Sequence, residues 1–423
     1  MNLVEKDKKF VWHPYTHQKN MASPIAIVSG KAALLKDEQG NNYIDGISSW
    51  WVTVHGHGNP YIAKKIYQQA KTLEQVIFAG FTHKPAVQLA ERLLKLLPGN
   101  KNKIFYSDNG STAVEVAVKM ALQYWNNKGS NRTKIVALSN SYHGDTFGAM
   151  SASSRSIFTK AFDDKLFDVI FIDAPDQHNL QSIKDLINKN SNDIACFIYE
   201  PLVQGAGGMK MYSAEYLNEL LSIFKQHHIL CIADEVMTGF YRTGKMFASE
   251  YMKEQPDIMC LSKGLTGGTM ALGVTACSKK IYNAFVSDDK TKTFFHGHSF
   301  TANPIACSAA LASLDLFEKK NLGKKLQKII NSNSRFAETL LTGENNYKIK
   351  NIRQSGTIVA FEINSTGNDN YLNNIAEEFT PFCMKEGVFL RSLGNTIYIM
   401  PPYCITKKQL NKIYGVLDKF LSG

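Results

Sequence analysis

The 423-residue chain has no run of 18 apolar residues, no Cys-x-x-Cys pair among its seven cysteines, and no internal repeat or low-complexity linker. The first absence excludes a membrane-spanning helix. The opening stretch Met1 to Phe10 is polar and lysine-rich, without the apolar core of a secretory signal. With no paired cysteine spacing, Cys196, Cys231 and Cys260, which lie in apolar runs, read as reduced core residues of a cytoplasmic protein rather than disulfides or metal ligands. Acidic residues are in deficit, 37 against 48 Lys and Arg, for a formal charge of +11. The lysines are dispersed over helical patterns such as 319–328, with no arginine-aromatic interleaving. This favours a solvated surface over nucleic-acid binding. At 44% hydrophobic and 20% charged residues, the chain can fill one large α/β domain with a smaller companion.

What is present is an alternation of short apolar runs and helical patterns. Lys134 to Leu138, Val169 to Ile172, Ala195 to Glu200, Leu230 to Asp234 and Ile258 to Ser262 read as buried strands, and Ala214 to His227 as a helix. A mostly parallel sheet with right-handed crossovers follows, and ligands gather at the carboxyl ends of such strands. Glu200, Asp234 and Lys263 all stand at those ends. From Asn303 a long helix is expected, with Ile305, Ala309, Ala312 and Leu316 on one face. A lysine-rich helix, β runs at 357–363 and 388–400, and a last helix at 406–420 come after it. The turn signal at Asp37 to Asn41 lies between two further β runs. We therefore expect residues 1–45 to join a C-terminal small α+β domain of 311–423, beside a large domain of 46–310.

Several constellations carry chemistry. A buried lysine that is partly neutral can condense with an aldehyde, and a carboxylate can keep a pyridine nitrogen protonated. Lys263 and Asp234 together suggest pyridoxal phosphate. Ser107-Asp108-Asn109-Gly110-Ser111-Thr112 opens a helix, which makes it a phosphate site or a plain N-cap. Tyr142 in Ser141-Tyr142-His143-Gly144-Asp145 could stack on a flat ring, with Asp145 nearby, or the segment could be a surface turn. His143 reads as structural. Phe295-His296-Gly297-His298-Ser299 offers a second phosphate contact. His55, His57, His296 and His298 have His-x-His spacing but no carboxylate or cysteine completing a set, so no metal is expected. Trp50 and Trp51, placed on a strand, would point to opposite faces, one into the core and one to a substrate. Tyr15 could form another wall, and Arg391 would need a carboxylate partner if buried.

Together these residues resemble the class III, fold type I aminotransferases. The run Ala233-Asp234-Glu235-Val236-x-Thr238-Gly239-Phe240-x-Arg242-Thr243-Gly244 is specific to that class. Trp12-His13-Pro14-Tyr15, Ser48-Ser49-Trp50-Trp51, Tyr142 to Ser151, Glu200 to Met209 and Met400-Pro401-Pro402-Tyr403 are most similar to the branch serving biotin synthesis. The resemblance implies pyridoxal 5'-phosphate bonded to Lys263, with Asp234 on its ring nitrogen and Tyr142 against the ring. It implies Gly110 and Ser111 at the phosphate, joined by His298 and Ser299 of a second subunit in a homodimer with shared active sites. Tyr15, Trp50, Gly297 and Arg391 would bind substrate. The implied reaction converts 8-amino-7-oxononanoate to 7,8-diaminononanoate with S-adenosylmethionine as donor. Many members read His-Gly-Pro-Thr where this chain has His296-Gly297-His298-Ser299. A related group that uses lysine as donor has a similar run, so lysine is an alternative donor. An ω-aminotransferase of the ornithine or 4-aminobutyrate type, or a non-catalytic scaffold, are the other readings.

Overall fold

The computed structural model describes residues 1–364 and 375–423. Its centre is a seven-stranded sheet in the order Lys101–Ser107, Gly273–Ser278, Ile258–Leu261, Leu230–Asp234, Ile194–Tyr199, Lys134–Leu138, Val169–Ile172. Gly273–Ser278 pairs antiparallel on both sides, and the remaining pairings are parallel. The mostly parallel α/β sheet expected from the sequence is therefore present. Every residue of Ile194–Tyr199 and of Leu230–Asp234 is buried, as a sheet covered on both faces requires. Two strands escaped the sequence reading. Lys101–Ser107 is half polar and Gly273–Ser278 opens on glycine, so neither shows the apolar run that marked the others.

Helices follow the strands and cover them. Gly110–Asn127 buries Ala113, Val114, Ala117 and Ala121, and Ala214–Gln226 buries Leu217, Leu220, Leu221 and Phe224. The expected long helix is Pro304–Phe317. Ala309, Ala312 and Leu316 on it pack with Ile62 in a small apolar cluster, while Ile305 is half-buried.

The N-terminal strands Ile27–Lys31, Leu34–Asp37 and Asn42–Asp45 form a sheet whose last member is Val388–Phe389. The pairing Val388 with Ile44 and Phe389 with Asp45 is parallel. A separate sheet, antiparallel throughout, orders Ile349–Ser355, Ile358–Ile363, Thr396–Ile399 and Ser392–Leu393. The single β run expected over 388–400 is thus three short strands in two sheets. Arg391 stands at the crossing from one sheet to the other.

The tryptophan pair departs from expectation. Ser48–Trp51 is no strand but a kinked turn, with φ of 52° at Ser48, 59° at Ser49 and 68° at Trp51. The two indoles still diverge, Trp51 being 4% and Trp50 43% exposed. Reversal of the backbone achieves this, where the sequence reading had assumed pleating.

Candidate active site

Three neighbouring strands end at one place. Glu200 follows Ile194–Tyr199, Asp234 closes Leu230–Asp234, and Lys263 lies just past Ile258–Leu261. They line a cavity of about 430 Å³ together with Gly110, Ser111 and Tyr142.

Asp234 is 4% exposed, and both its oxygens are engaged. Oδ1 accepts from the Val236 N–H at 3.1 Å and Oδ2 lies 2.7 Å from His143 Nδ1. An ionised carboxylate only accepts, so His143 donates through Nδ1. Its Nε2 is buried without a partner among the described residues. Sequence reasoning took His143 as structural and missed this contact. A buried Asp at a strand end needs a donor, and that was the available signal.

Lys263 makes no hydrogen bond or ion pair among the described residues. Its Nζ lies 4.5 Å from the centroid of the Trp51 indole. Burial pushes the ammonium down to about 8, against the opposing pull of Asp234 and Glu200. A substantial neutral fraction is what an amine nucleophile needs.

Glu200 is buried and acts as a clamp. Oε1 accepts from the Tyr142 N–H at 3.0 Å and Oε2 from the Gly205 N–H at 2.8 Å. Burial pushes its carboxyl up to about 7, with His143 opposing. The Tyr142 phenol is raised by burial and by the Tyr15 hydroxyl 3.3 Å away. Tyr15 donates to Asp145 Oδ2 at 2.5 Å and packs edge-on to Trp50 at 5.6 Å. The Arg391 guanidinium lies over Trp50 at 5.2 Å. No carboxylate among the described residues forms an ion pair with it. Tyr15, Trp50, Tyr142 and Arg391, chosen from separate motifs, are thus joined in one chain of contacts that reaches the cavity at Tyr142.

The helix start fits a phosphate. Asn109 accepts from the Thr112 N–H at 3.0 Å and Thr112 Oγ1 accepts in return. The N–H groups of Gly110 and Ser111 keep no partner among the described residues, at the positive end of an 18-residue helix. Close approach is built in. A Cβ on Gly110 would lie 2.7 Å from Val236, and one on Gly144 would lie 2.1 Å from Ser111 Oγ.

Gly297, His298 and Ser299 do not line this chain's own cavity. His298 Nδ1 lies 2.8 Å from Asp108, and the Ser299 carbonyl accepts from Gln75 at 2.6 Å. The histidine pairs have other partners: His55 meets Ser313, His57 meets Asp45 and His296 meets Lys119. No cluster of three or more metal-ligating side chains occurs among the described residues.

A lysine, a hydrogen-bonded carboxylate and a helix start with free N–H groups line one cavity, and their chemistry fits pyridoxal phosphate. With the parallel sheet they define a pyridoxal-phosphate-dependent transferase of fold type I. The comparisons narrow the class. The family described as Aminotransferase class-III matches residues 15–421. Adenosylmethionine-8-amino-7-oxononanoate aminotransferase of Synechococcus elongatus is 43% identical, over 97% of this chain and 98% of that protein. The crystal structure of the enzyme of that name from Methanocaldococcus jannaschii superposes with a TM-score of 0.93 at 34% identity, covering 99% and 98% of the two chains. A PLP-bound amine transaminase from an uncultivated Pseudomonas species gives 0.90 at 28% identity, covering 98% of each. The chain belongs to the class III aminotransferases, and its cofactor is pyridoxal phosphate.

Proposed function

We propose that this aminotransferase converts 8-amino-7-oxononanoate to 7,8-diaminononanoate, the biotin-pathway step, with S-adenosylmethionine as amino donor. The observation that carries this is the chain of contacts that runs from Tyr142, which lines the cavity with Lys263, through Tyr15 and Trp50 to Arg391. Arg391, over the Trp50 ring, forms no ion pair with a carboxylate among the described residues, as suits binding the acid end of a long oxo-acid. The names of the relatives point the same way.

The residues divide the work. Bound pyridoxal phosphate supplies an aldehyde that takes up amines and a protonated ring that draws electrons from the adjacent carbon. Asp234, held by His143, would keep that ring nitrogen protonated. Gly110 and Ser111 would hold the phosphate through their free N–H groups. Tyr142 would lie against the ring. Lys263 Nζ would take the proton from the donor's amine-bearing carbon and return it in the second half-reaction.

We place Gly297, His298 and Ser299 in the site of a second subunit, which makes the enzyme a two-fold homodimer with shared sites. In this reading residues 46–310 hold the cofactor, while 1–45 and 311–423 form the companion domain carrying Arg391. Seven unpaired cysteines support a cytoplasmic setting. Lysine is the alternative donor, favoured by the run His296-Gly297-His298-Ser299. An absorbance half-reaction separates the two. S-adenosylmethionine should bleach the lysine-bound cofactor band, and bleaching by lysine alone would overturn the donor.

A further inference from the structure

The turn Ser48–Trp51 is built against backbone preference. Ser48, Ser49 and Trp51 have φ of 52°, 59° and 68°, and Ser49 combines its value with ψ of −91°. None is glycine, and strained residues of this kind persist only where their surroundings over-determine them. Here one carboxylate does so. Asp45 has no exposed surface. It accepts from Ile47 N–H at 3.2 Å, Ser49 N–H at 2.8 Å, Ser49 Oγ at 3.0 Å and His57 Nε2 at 2.8 Å.

His57 is itself fixed from behind. It exchanges two backbone hydrogen bonds with Ala32, at 2.7 and 3.0 Å. Gly30 leaves room for its ring, since a Cβ there would lie 2.7 Å from His57 Cβ. On the other side Ser48 Oγ donates to the Met400 carbonyl at 2.8 Å, and buried Arg242 donates to the Trp51 carbonyl at 3.1 Å.

The turn delivers two indoles to two parts of the site. Trp51 stands over Lys263, its N–H donating to the Tyr398 hydroxyl at 2.9 Å. Trp50 lies between Tyr15 and Arg391. The same segment also reaches the arginine through the backbone. Asp45 is paired in register with Phe389, and the Gly46 N–H donates to the Phe389 carbonyl at 3.0 Å, two residues before Arg391.

We propose that Asp45, backed by His57, is a positioning residue for transamination. It holds the strained Ser48–Trp51 turn so that Trp50 and Trp51 stand at fixed places beside Arg391 and Lys263. The inference rests on the function proposed above for the identity of the oxo-acid alone.

Four variants of the holoenzyme test it. Asp45→Asn replaces an accepting oxygen by a donor and should raise KM for 8-amino-7-oxononanoate about tenfold or more, a larger factor than its accompanying fall in kcat. Its near-ultraviolet tryptophan dichroism should change while the cofactor absorbance stays. His57→Gln, which retains a donor, should recover most of the KM that His57→Ala loses. Ser49→Gly relieves the strain and gives up one hydrogen bond, so its Tm should stay within about 3 °C of the parent while KM rises. The proposal is overturned if Asp45→Asn and Ser49→Gly keep the parent KM and tryptophan dichroism, or if His57→Gln is no better than His57→Ala. Should Asp45→Asn fail to fold, Ser49→Gly and the His57 pair decide. If the parent enzyme ignores 8-amino-7-oxononanoate, the substrate reading fails by itself, and the dichroism of the same variants still decides the role of Asp45.

Discussion

Lys263 has an ordinary lysine's chemistry moved by its surroundings. With the ammonium at about 8 rather than 10.5, the neutral form grows with pH up to that value and then saturates. Cofactor loading of the apoprotein, followed by absorbance, should therefore accelerate roughly tenfold per unit below pH 8 and level off above it. Lys263→Ala should retain cofactor noncovalently and lose turnover altogether. Under the proposed function, Arg391→Ala would remove a charge-assisted hydrogen bond to the substrate carboxylate, worth about 1.5–3 kcal/mol. KM for the oxo-acid should rise roughly tenfold to a hundredfold, with the absorbance of the bound cofactor unchanged. At this scale the sequence was informative wherever chemistry needs a particular residue type. Lys263, Asp234 and the Gly110-Ser111 helix start could be singled out on those grounds. The sequence did not disclose the His143 contact to Asp234 or the Trp51 face over Lys263, because both join residues far apart in the chain through side-chain rotamers.

Elements gave up their strands more readily than their turns. Lys134–Leu138, Val169–Ile172 and Leu230–Asp234 have the expected ends, since an apolar run too short for a helix admits few other readings. The Ser48–Trp51 turn was misread because its geometry is imposed by Asp45, His57 and Arg242 rather than by local propensity. A second such element follows Asp234. Glu235 is buried and accepts from Thr238 Oγ1 at 2.7 Å, Ala248 N–H at 3.1 Å, and both Ser249 N–H and Oγ at 2.7 Å. Burial raises its carboxyl above the usual range, with these hydrogen bonds opposing. Removing it strands three or more buried donors. Glu235→Ala should destabilise by about 3 kcal/mol, read as a lower urea midpoint.

At the scale of the whole molecule, the proposed homodimer with shared sites predicts complementation between subunits. Alone, Lys263→Ala should be inactive, and the double variant His298→Ala/Ser299→Ala should bind cofactor weakly. In a mixed dimer one site would pair an intact Lys263 with an intact partner loop. Co-refolding the two variants should restore cofactor affinity and activity at that site, whereas sites built from one chain would show no rescue. The central claim concerns the acceptor. Enzyme carrying the amino group, prepared by exhaustive reaction with S-adenosylmethionine and freed of donor, should be mixed with one equivalent of 8-amino-7-oxononanoate. The lysine-bound cofactor absorbance should return, with 7,8-diaminononanoate formed in equal amount by mass spectrometry. An absorbance that returns with pyruvate or 2-oxoglutarate but not with 8-amino-7-oxononanoate would contradict the account.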